Sequence, residues 1–423
     1  MRLKQMTLCV SALMLISTLC LAGDWSQWRG PDRDGLSPET GLLQNWPADG
    51  PALLWKATGL GEGFSSVAVV GDRIFTTGDK ARVCYVHGLN RADGKVLWST
   101  EIGRAGAPGW GNFAGPRGTP TVDGDLLFVM GQYGELLFVM GQYGELVCLR
   151  TADGAKVWEK HMVKDFGGKV PEWGYSESVL VDGDQVICTP GGSKGAIVAL
   201  DKRTGNLLWQ TGDFKDPAHY SSLVCAEITG MKQYVQLTAE SVVGVAPNGV
   251  VLWRAERRGR TAVIPTPIVK GDQIYVTSGY GVGSNLFEVT RTGATFQARQ
   301  VYAERSMANH HGGALRVGQY IYGYCDARGW VCQEMATGEL KWAEKQQTGK
   351  GSLTYADGRL YLRAEDNGIV GLIEATPDGY KETGRFVQPG FGKPKTWPHP
   401  VVAGKKLYLR DQDQLLCYDV QAR

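Results

Sequence analysis

The sequence predicts an all-β fold, an eight-bladed β-propeller of four-stranded antiparallel blades. Three observations predict it: the chain holds 58 glycines among 423 residues, a phrase ending in tryptophan recurs along its length, and neighbouring copies such as those at Trp55 and Trp98 lie 43 residues apart. Many glycines indicate many tight turns. A period in the forties with several short strands in each unit is typical of propeller blades.

Each repeat joins an apolar strand, a short polar turn with glycine and a second strand ending in tryptophan. Residues 89–98 and 200–209 are two clear copies. The aromatic residues at the same point of the other units are Trp55, Trp158, Trp253, Phe296, Trp342 and Phe386. A Gly-Asp or Asp-Gly hairpin signal precedes each copy, so every unit is predicted to hold four antiparallel strands.

Eight units can be counted, with inner strands that begin near residues 65, 119, 177, 221, 266, 312, 352 and 399. The last unit ends at residue 420 without a tryptophan strand. We expect residues 53–55 to supply it, because this pairing joins both ends of the chain and removes an open sheet edge. The tryptophans are expected to wedge against the neighbouring blade.

The chain is predicted to have three parts. Residues 1–22 combine a basic start with a short apolar run, as a signal peptide does, so export to the periplasm or the extracellular space is expected. Residues 23–50 contain three tryptophans and are expected to form a strap across the disc. Residues 51–423 form a single propeller domain. No other run approaches a membrane span, so the protein is not expected to be transmembrane.

One blade contains a duplication, in which residues 126–135 and 136–145 both read LLFVMGQYGE. It is either a recent event in the gene or an error of sequence assembly. An insertion of this even length keeps the inward and outward alternation, but an added strand would reverse all later strands of the blade. We therefore expect one copy to leave the blade as a loop or long hairpin.

Composition excludes some classes of partner. A net charge of +2 indicates no polyanion, so nucleic acid is not expected. Seven cysteines follow residue 22, an odd number without any Cys-x-x-Cys pair, and they are expected to be free thiols in strands rather than a disulfide framework. We expect a monomer.

The loops that lead into the inner strands should meet at one mouth of the central channel. They are rich in aromatic, hydroxyl and histidine side chains, which could form a binding pocket. The alternative is that they satisfy the inner-strand backbone and fill the tapering mouth. The candidate residues are Phe64, Ser65, Trp110, Arg117, Thr119, Tyr175, Glu177, His219, Tyr220, His310, His311, Lys350, Trp397 and His399.

No catalytic residue and no metal site is predicted. Glu177 would have a raised pKa in an apolar channel, although such a carboxylate more often pairs with a cation such as Arg117 or Lys350. Adjacent histidines on a strand face opposite sides, so His310 and His311 are not expected to share an ion. Residues 32–35 and 411–413 lack the spacing of a calcium loop and are expected to cap turns.

The phrase at residues 199–209, Ala-Leu-Asp-Lys-Arg-Thr-Gly-Asn-Leu-Leu-Trp, resembles the tryptophan-docking motif of PQQ-type eight-bladed propellers, which include quinoprotein dehydrogenases and the scaffold BamB. The chain is similar along nearly all of its mature length to secreted bacterial PQQ-like repeat proteins. The phrases that carry this resemblance are residues 25–31, 173–178, 309–313 and 409–413. The resemblance implies the propeller fold and a place in the cell envelope.

For the function, the resemblance implies two classes. The dehydrogenases hold PQQ with calcium and add an adjacent Cys-Cys disulfide and a catalytic aspartate, whereas this chain has no Cys-Cys pair. We therefore expect no cofactor, and a non-catalytic binding or scaffold protein whose partner is an envelope protein, a peptide or a small-molecule ligand. The alternatives are a PQQ-dependent alcohol or sugar dehydrogenase, with Trp110 or Trp397 stacked on the quinone, and a carbohydrate- or polymer-binding propeller.

Overall fold

The computed structural model describes residues 23–105, 113, 115–131, 144–391 and 395–423. It confirms the prediction of an eight-bladed propeller: eight sheets of four antiparallel strands follow one another, and one of them carries a fifth strand. Within these ranges the only helix is the single turn α1 (Met162–Phe166). None of the described residues forms a helix with the length and apolar character needed to cross a bilayer.

The strands are numbered in chain order. Two strands of the N-terminal part and the strands of the first four blades are β1 (Leu36–Ser37), β2 (Ala52–Ala57), β3 (Ala68–Val70), β4 (Arg73–Lys80), β5 (Val83–Asn90), β6 (Val96–Arg104), β7 (Thr121–Asp123), β8 (Leu126–Met130), β9 (Glu145–Arg150), β10 (Lys156–His161), β11 (Leu180–Asp182), β12 (Gln185–Cys188), β13 (Val198–Asp201), β14 (Leu207–Gln210), β15 (Val224–Ile228), β16 (Met231–Leu237), β17 (Ser241–Val245) and β18 (Val251–Glu256). The strands of the remaining four blades are β19 (Ile268–Lys270), β20 (Gln273–Ser278), β21 (Gly283–Thr292), β22 (Thr295–Glu304), β23 (Ala314–Val317), β24 (Tyr320–Cys325), β25 (Gly329–Glu334), β26 (Leu340–Glu344), β27 (Gly351–Ala356), β28 (Arg359–Ala364), β29 (Ile369–Glu374), β30 (Glu382–Val387), β31 (Val401–Ala403), β32 (Lys406–Asp411) and β33 (Gln414–Asp419).

The ring closes as the sequence predicts. Strand β2 pairs antiparallel with β33, which places Leu53 opposite Tyr418 and Trp55 opposite Cys417. The N-terminal strand therefore completes the eighth blade as its fourth strand, beside β33. Strand β1 adds to the seventh blade by pairing parallel with β27.

The repeated tryptophans dock between blades. The indole Nε1 of Trp98 donates to the carbonyl of Thr151 at 3.1 Å, and that of Trp158 donates to the carbonyl of Lys202 at 2.9 Å, in each case in the next blade. The indole ring of Trp98 packs on Gly154, which lies in a turn of the next blade. A Cβ on Gly154 would be only 2.4 Å from the ring of Trp98. Because Gly154 also has a φ of 71°, both its backbone and the indole require glycine there.

The core lies between adjacent blades rather than at one centre. One cluster, for example, joins Phe128 and Trp158 of the second blade to Val186 and Leu200 of the third. Middle strands such as β8 are buried along their whole length. The seven cysteines of the described ranges are free thiols, as the sequence predicts, and six of them are buried.

The duplication leaves the second blade with four described strands. Strand β8 uses Leu126–Met130 of the first copy, and β9 begins at Glu145, the last residue of the second copy. The two strands pair antiparallel, with Met130 opposite Leu146. The loop or hairpin expected from one copy falls on residues 132–143, which lie outside the described residues.

Residues 23–50 pack against the ring and cross its centre. Their hydrogen bonds reach inner strands, or the residues just before them, in blades on opposite sides of the channel: Trp25 bridges Val69, the carbonyl of Ser26 accepts from Val122, Arg33 donates to Ser178, Arg29 donates to Ala314, and Ser37 donates to Val402. Trp25, Arg29 and Arg33 are buried. This path carries Trp28 to the base of the mouth cavity described next.

Candidate functional site

A cavity of about 440 Å³ lies at the mouth of the channel, where the loops leading into the inner strands converge. Its size falls within the usual range of small-molecule sites. The side chains that line it are Trp28, Phe64, Phe113, Arg117, Trp173, Ser176, Ser178, Tyr220, Ser222, Ala262, Ile264, Tyr280, His310, His311, Lys350, Glu365, Lys395 and Trp397.

The fourteen residues predicted from the sequence divide into three groups. Those that line the cavity are Phe64, Arg117, Tyr220, His310, His311, Lys350 and Trp397. Those that pack outside its lining are Ser65, Thr119, Tyr175, Glu177, His219 and His399. Trp110 lies outside the described residues.

The second group connects neighbouring parts of the ring instead of facing the cavity. The hydroxyl of Tyr175 donates to the carbonyl of Pro190 at 2.8 Å, and Ser65 donates to the adjacent carbonyl of Ser66. Nδ1 of His219 accepts from the backbone of Val263 at 3.2 Å. These residues therefore fit the alternative expectation from the sequence, in which residues of the loops before the inner strands form hydrogen bonds with the backbone instead of facing a pocket.

Aromatic rings form one wall and the base of the cavity. Phe64 stacks on Trp397 with ring centroids 4.2 Å apart, and the guanidinium of Arg117 lies 5.5 Å from the Phe64 centroid. Arg117 also donates to the carbonyl of Trp173 at 3.0 Å, which fixes it across the wall. At the base, Nε1 of Trp28 donates to Thr266 at 2.9 Å.

A buried carboxylate, Glu365, also lines the cavity. Glu365 accepts from Nε2 of His311 at 2.5 Å, from Nε1 of Trp397 at 2.8 Å and from the ammonium of Lys395 at 3.1 Å. Burial alone would raise the pKa of Glu365, but the hydrogen bond and charge of His311 and the ammonium of Lys395 outweigh it and lower the pKa to about 2. Glu365 is therefore an ionised, well-bonded carboxylate.

A second polar chain crosses three blades. The ammonium of Lys350 lies 2.8 Å from Nδ1 of His310 and 2.7 Å from Asp326, and the hydroxyl of Tyr280 lies 2.9 Å from Nε2 of His310. Burial, aided by the nearby charges of His311 and Lys350, lowers the pKa of His310 to about 3, so its imidazole is neutral.

The two adjacent histidines differ from expectation. His310 and His311 lie in a loop, not on a strand, and both line the cavity with ring centroids 4.9 Å apart. The expectation that they face opposite sides is wrong because the strand alternation does not apply to them. In the described part of the chain, no three His, Cys, Asp or Glu side chains are grouped so that they could hold a metal ion.

Glu177 lies in a different environment, between the third and fourth blades. It accepts from the backbone and hydroxyl of Thr189 at 2.7 and 3.1 Å and from the amide of Gln236 at 3.3 Å. Neither suggested cation, Arg117 nor Lys350, pairs with it; the nearby charge is that of Arg33. Burial raises the pKa of Glu177 to about 7.

Sequence reasoning missed several lining residues, among them Trp28, Tyr280, Glu365 and Lys395. Tyr280 and Glu365 follow the second strands of their blades, whereas the residues predicted for the mouth precede or begin the first strands. Trp28 carried a signal, because it belongs to a phrase with two tryptophans before the ring. Nothing in its local pattern indicated that this segment passes beneath the mouth.

A family model described as "Outer membrane protein assembly factor BamB" matches residues 41–135 and 85–329, more than half of the chain. This chain belongs to that family. The family assignment agrees with the resemblance to PQQ-like propellers, of which this family is a part. No curated protein sequence matches the chain.

Three solved structures have a similar fold. BamB from Moraxella catarrhalis has 14% sequence identity and a TM-score of 0.61 over 88% of this chain and 98% of its own. The computationally designed Ika8 protein has 11% identity and a TM-score of 0.55 over 87% of this chain and 100% of its own. The quinohemoprotein alcohol dehydrogenase ADHIIG from Pseudomonas putida HK5 has 14% identity and a TM-score of 0.49 over 95% and 81%. The first two likenesses concern the fold alone.

The lining side chains do not fit a quinone held with calcium. Calcium needs six to eight oxygen ligands, but Glu365, the one carboxylate among the described lining residues, already accepts three hydrogen bonds. No cysteine is among the described lining residues. Asp34 caps its own turn by accepting from the backbone of Leu36 at 2.9 Å. Asp413 instead accepts from the backbone of Gly61 at 2.7 Å, in a segment distant in the sequence.

Proposed function

We propose that this protein is a non-catalytic binding protein of the cell envelope, which holds a small organic ligand in the mouth cavity. The observation that carries the proposal is the cavity itself. It is large enough for such a ligand, it is walled mainly by aromatic side chains, and a few polar groups converge on it. This combination is the usual form of a small-molecule site.

The polar groups favour binding over chemistry. A general acid or base needs a pKa near the working pH. His310 and Glu365, with pKa values of about 3 and 2, do not titrate there. Glu177, whose pKa is about 7, is buried outside the lining and holds Thr189 and Gln236. The described lining therefore favours recognition over proton transfer.

The envelope location rests on the family. The model that matches the chain describes an outer membrane protein assembly factor, and the sequence begins with the pattern of a signal peptide. An exported binding protein agrees with both. Fusion of residues 1–22 to a reporter that is active only after export tests this part of the proposal, and a reporter retained in the cytoplasm would contradict it.

Ligand binding is tested by filling the cavity. Titration with the neutral fluorescent probe N-phenylnaphthylamine should show saturable binding to one site in the mature protein. Ile264→Trp places an indole in the cavity and should abolish that signal. The matched control is Leu208→Trp, a position on the outer strand β14 that is 50% exposed, and it should bind as the wild type does. Binding that survives Ile264→Trp would refute the cavity as the site.

The dehydrogenase alternative has its own test. The mature protein is incubated with PQQ and calcium, and dye-coupled oxidation of alcohols and sugars is measured. We expect no turnover, because the described lining provides no spare carboxylate set for calcium. Turnover that is lost in Ile264→Trp would overturn the non-catalytic proposal.

A further inference from the structure

A chain of hydrogen bonds along the polar side of the mouth cavity runs in one direction, with each group donating to the next. Lys350, His310 and Tyr280 form a chain in which the ammonium contacts Nδ1 of the imidazole and the phenol contacts Nε2. Tyr280 is 38% exposed and lines the cavity. Its position at the open end of the chain makes it the group that meets a ligand.

The protons of this chain follow from the chemistry of its members. An ammonium only donates, so Nδ1 of His310 must accept from Lys350. A neutral imidazole then carries its proton on Nε2 and donates it to the oxygen of Tyr280. No described residue accepts the hydroxyl hydrogen of Tyr280, so that hydrogen is available to the cavity as a donor.

Two serines that line the cavity, Ser178 and Ser222, also present hydrogen-bond donors to it. The hydroxyl oxygen of Ser178 accepts from the backbone of Thr119 at 2.8 Å, and that of Ser222 accepts from the backbone of Ser178 at 3.0 Å. Each oxygen is thus engaged as an acceptor. The hydroxyl hydrogens remain as donors that can turn toward the cavity.

Acceptors are scarce by comparison. Glu365 already accepts from His311, Trp397 and Lys395, and its side chain is 5% exposed. Lys350 uses two of its three hydrogens on His310 and Asp326 and keeps one. A ligand therefore meets several donors and a cation beside aromatic walls. Among the described lining side chains, the buried atoms without a partner that could accept a proton from it are Oγ of Ser176 and Nδ1 of His311.

We propose that the cavity recognises a small organic anion: a flat, aromatic molecule whose carboxylate accepts hydrogen bonds from Tyr280 and Lys350. This inference rests on the proposed function and adds the class of ligand to it. Phe64 and Trp397 bury the apolar part of the molecule. A cationic ligand would meet the ammonium of Lys350 and donors that it cannot accept from, which costs binding energy.

The test compares two probes of equal shape, naphthoate and the naphthylmethylammonium ion, by isothermal titration calorimetry at low salt. Naphthoate should bind the wild-type protein at least about tenfold more tightly than the ammonium ion. Equal affinities, or a preference for the ammonium ion, would overturn the anion proposal. Either of these outcomes would leave the proposed function standing if N-phenylnaphthylamine binds the wild-type protein and does not bind the Ile264→Trp variant.

A substitution then assigns the preference to Tyr280. Tyr280→Phe removes the donor and keeps the ring, so it should weaken naphthoate by about three- to tenfold and reduce the ratio between the two probes. Tyr324→Phe is the matched control, because Tyr324 packs on Trp330 and does not line the cavity; it should leave the ratio unchanged. If Tyr280→Phe weakens both probes equally, or neither, the assignment to Tyr280 is wrong.

Discussion

Two buried carboxylates on the inner side of the ring behave in opposite ways. Glu177 and Glu365 are 2% and 4% exposed, so both are removed from water to a similar extent. The pKa of Glu177 is raised to about 7, whereas that of Glu365 is lowered to about 2. Burial alone therefore does not decide the charge of a carboxylate in this molecule.

The difference comes from the partners that other blades supply. Glu177 accepts from a hydroxyl, an amide and a backbone N–H, which stabilise its charge too little to offset desolvation. Glu365 accepts from His311, Lys395 and Trp397, which arrive from loops on either side of its blade. A cation in direct contact reverses the sign of the shift.

The largest expected effect is on the Glu365 cluster. Glu365→Gln leaves Lys395 and His311 without their anion, so the free energy of unfolding at pH 7 should fall by about 3 kcal/mol. A lowered carboxylate pKa gives stability that is present above the unfolded value near 4.5 and is lost as the pH falls toward 2. The difference between variant and wild type should therefore shrink below pH 4.5, as measured by urea unfolding.

The control for this prediction is an exposed ion pair. Glu288 contacts Arg299 at 2.7 Å on the outer surface, where both side chains are at least one third exposed. Glu288→Gln should cost less than about 1 kcal/mol. Equal losses for Glu288→Gln and Glu365→Gln would show that the burial of the Glu365 cluster contributes nothing.

The Glu177 cluster should show the opposite dependence on pH. Its raised pKa gives stability that is fully present below pH 4.5 and is lost as the pH rises through about 7. In Glu177→Gln this loss disappears, so the decline in stability between pH 5 and 8 should be smaller than in the wild type by up to roughly 3 kcal/mol. Parallel pH profiles for the two proteins would contradict the assignment.

Asp79 and Glu145, whose pKa values burial also raises to about 7, remain in both proteins of that comparison. Their contribution to the pH profile therefore cancels in the difference. The same urea series with Asp79→Asn should reduce the decline independently of Glu177→Gln, since the two sites share no hydrogen bond among the described residues.

The smallest expected effect is the difference in stability between losing an indole hydrogen bond to a charged acceptor and losing one to a neutral acceptor. Trp397→Phe removes a donor to the Glu365 carboxylate and should cost about 2 kcal/mol. Trp342→Phe removes a donor to the carbonyl of Thr376, a neutral acceptor, and should cost about 1 kcal/mol. Thermal or urea unfolding at pH 7 checks the order, and a reversed order would argue against an ionised Glu365.

The repeat accounts for the parts of the fold that could be predicted from the sequence. The spacing of the tryptophans and the Gly-Asp turns predicted eight four-stranded blades, because every blade except the last is built from contacts within about forty residues. The closure by residues 53–55 followed from the outer strand that the last unit lacks. The predicted starts of the inner strands fall two or three residues before the observed ones in every blade except the seventh, where residue 352 was predicted and the strand begins at Gly351.

The candidate site could also be predicted only in part from the sequence. The sequence indicated that lead residues converge at one mouth, and Phe64, Arg117, Tyr220, His310, His311, Lys350 and Trp397 do line one cavity. It could not tell them from neighbours such as Tyr175 and His399, because a loop has no fixed alternation of inward and outward side chains. Nor could it place His310 beside His311 on the same side.

By itself the sequence determined the number of blades, the strand order within each and the residues that join the two ends of the ring, since these depend on periodic local patterns. Only the tertiary structure decided that Trp28 lines the cavity, that Tyr280 and Lys350 meet at His310, and that the pKa of Glu177 is raised while that of Glu365 is lowered. The physical reason is that these properties depend on side chains from different blades. Their distances and charges are set by the closed ring and appear in no local stretch of the chain.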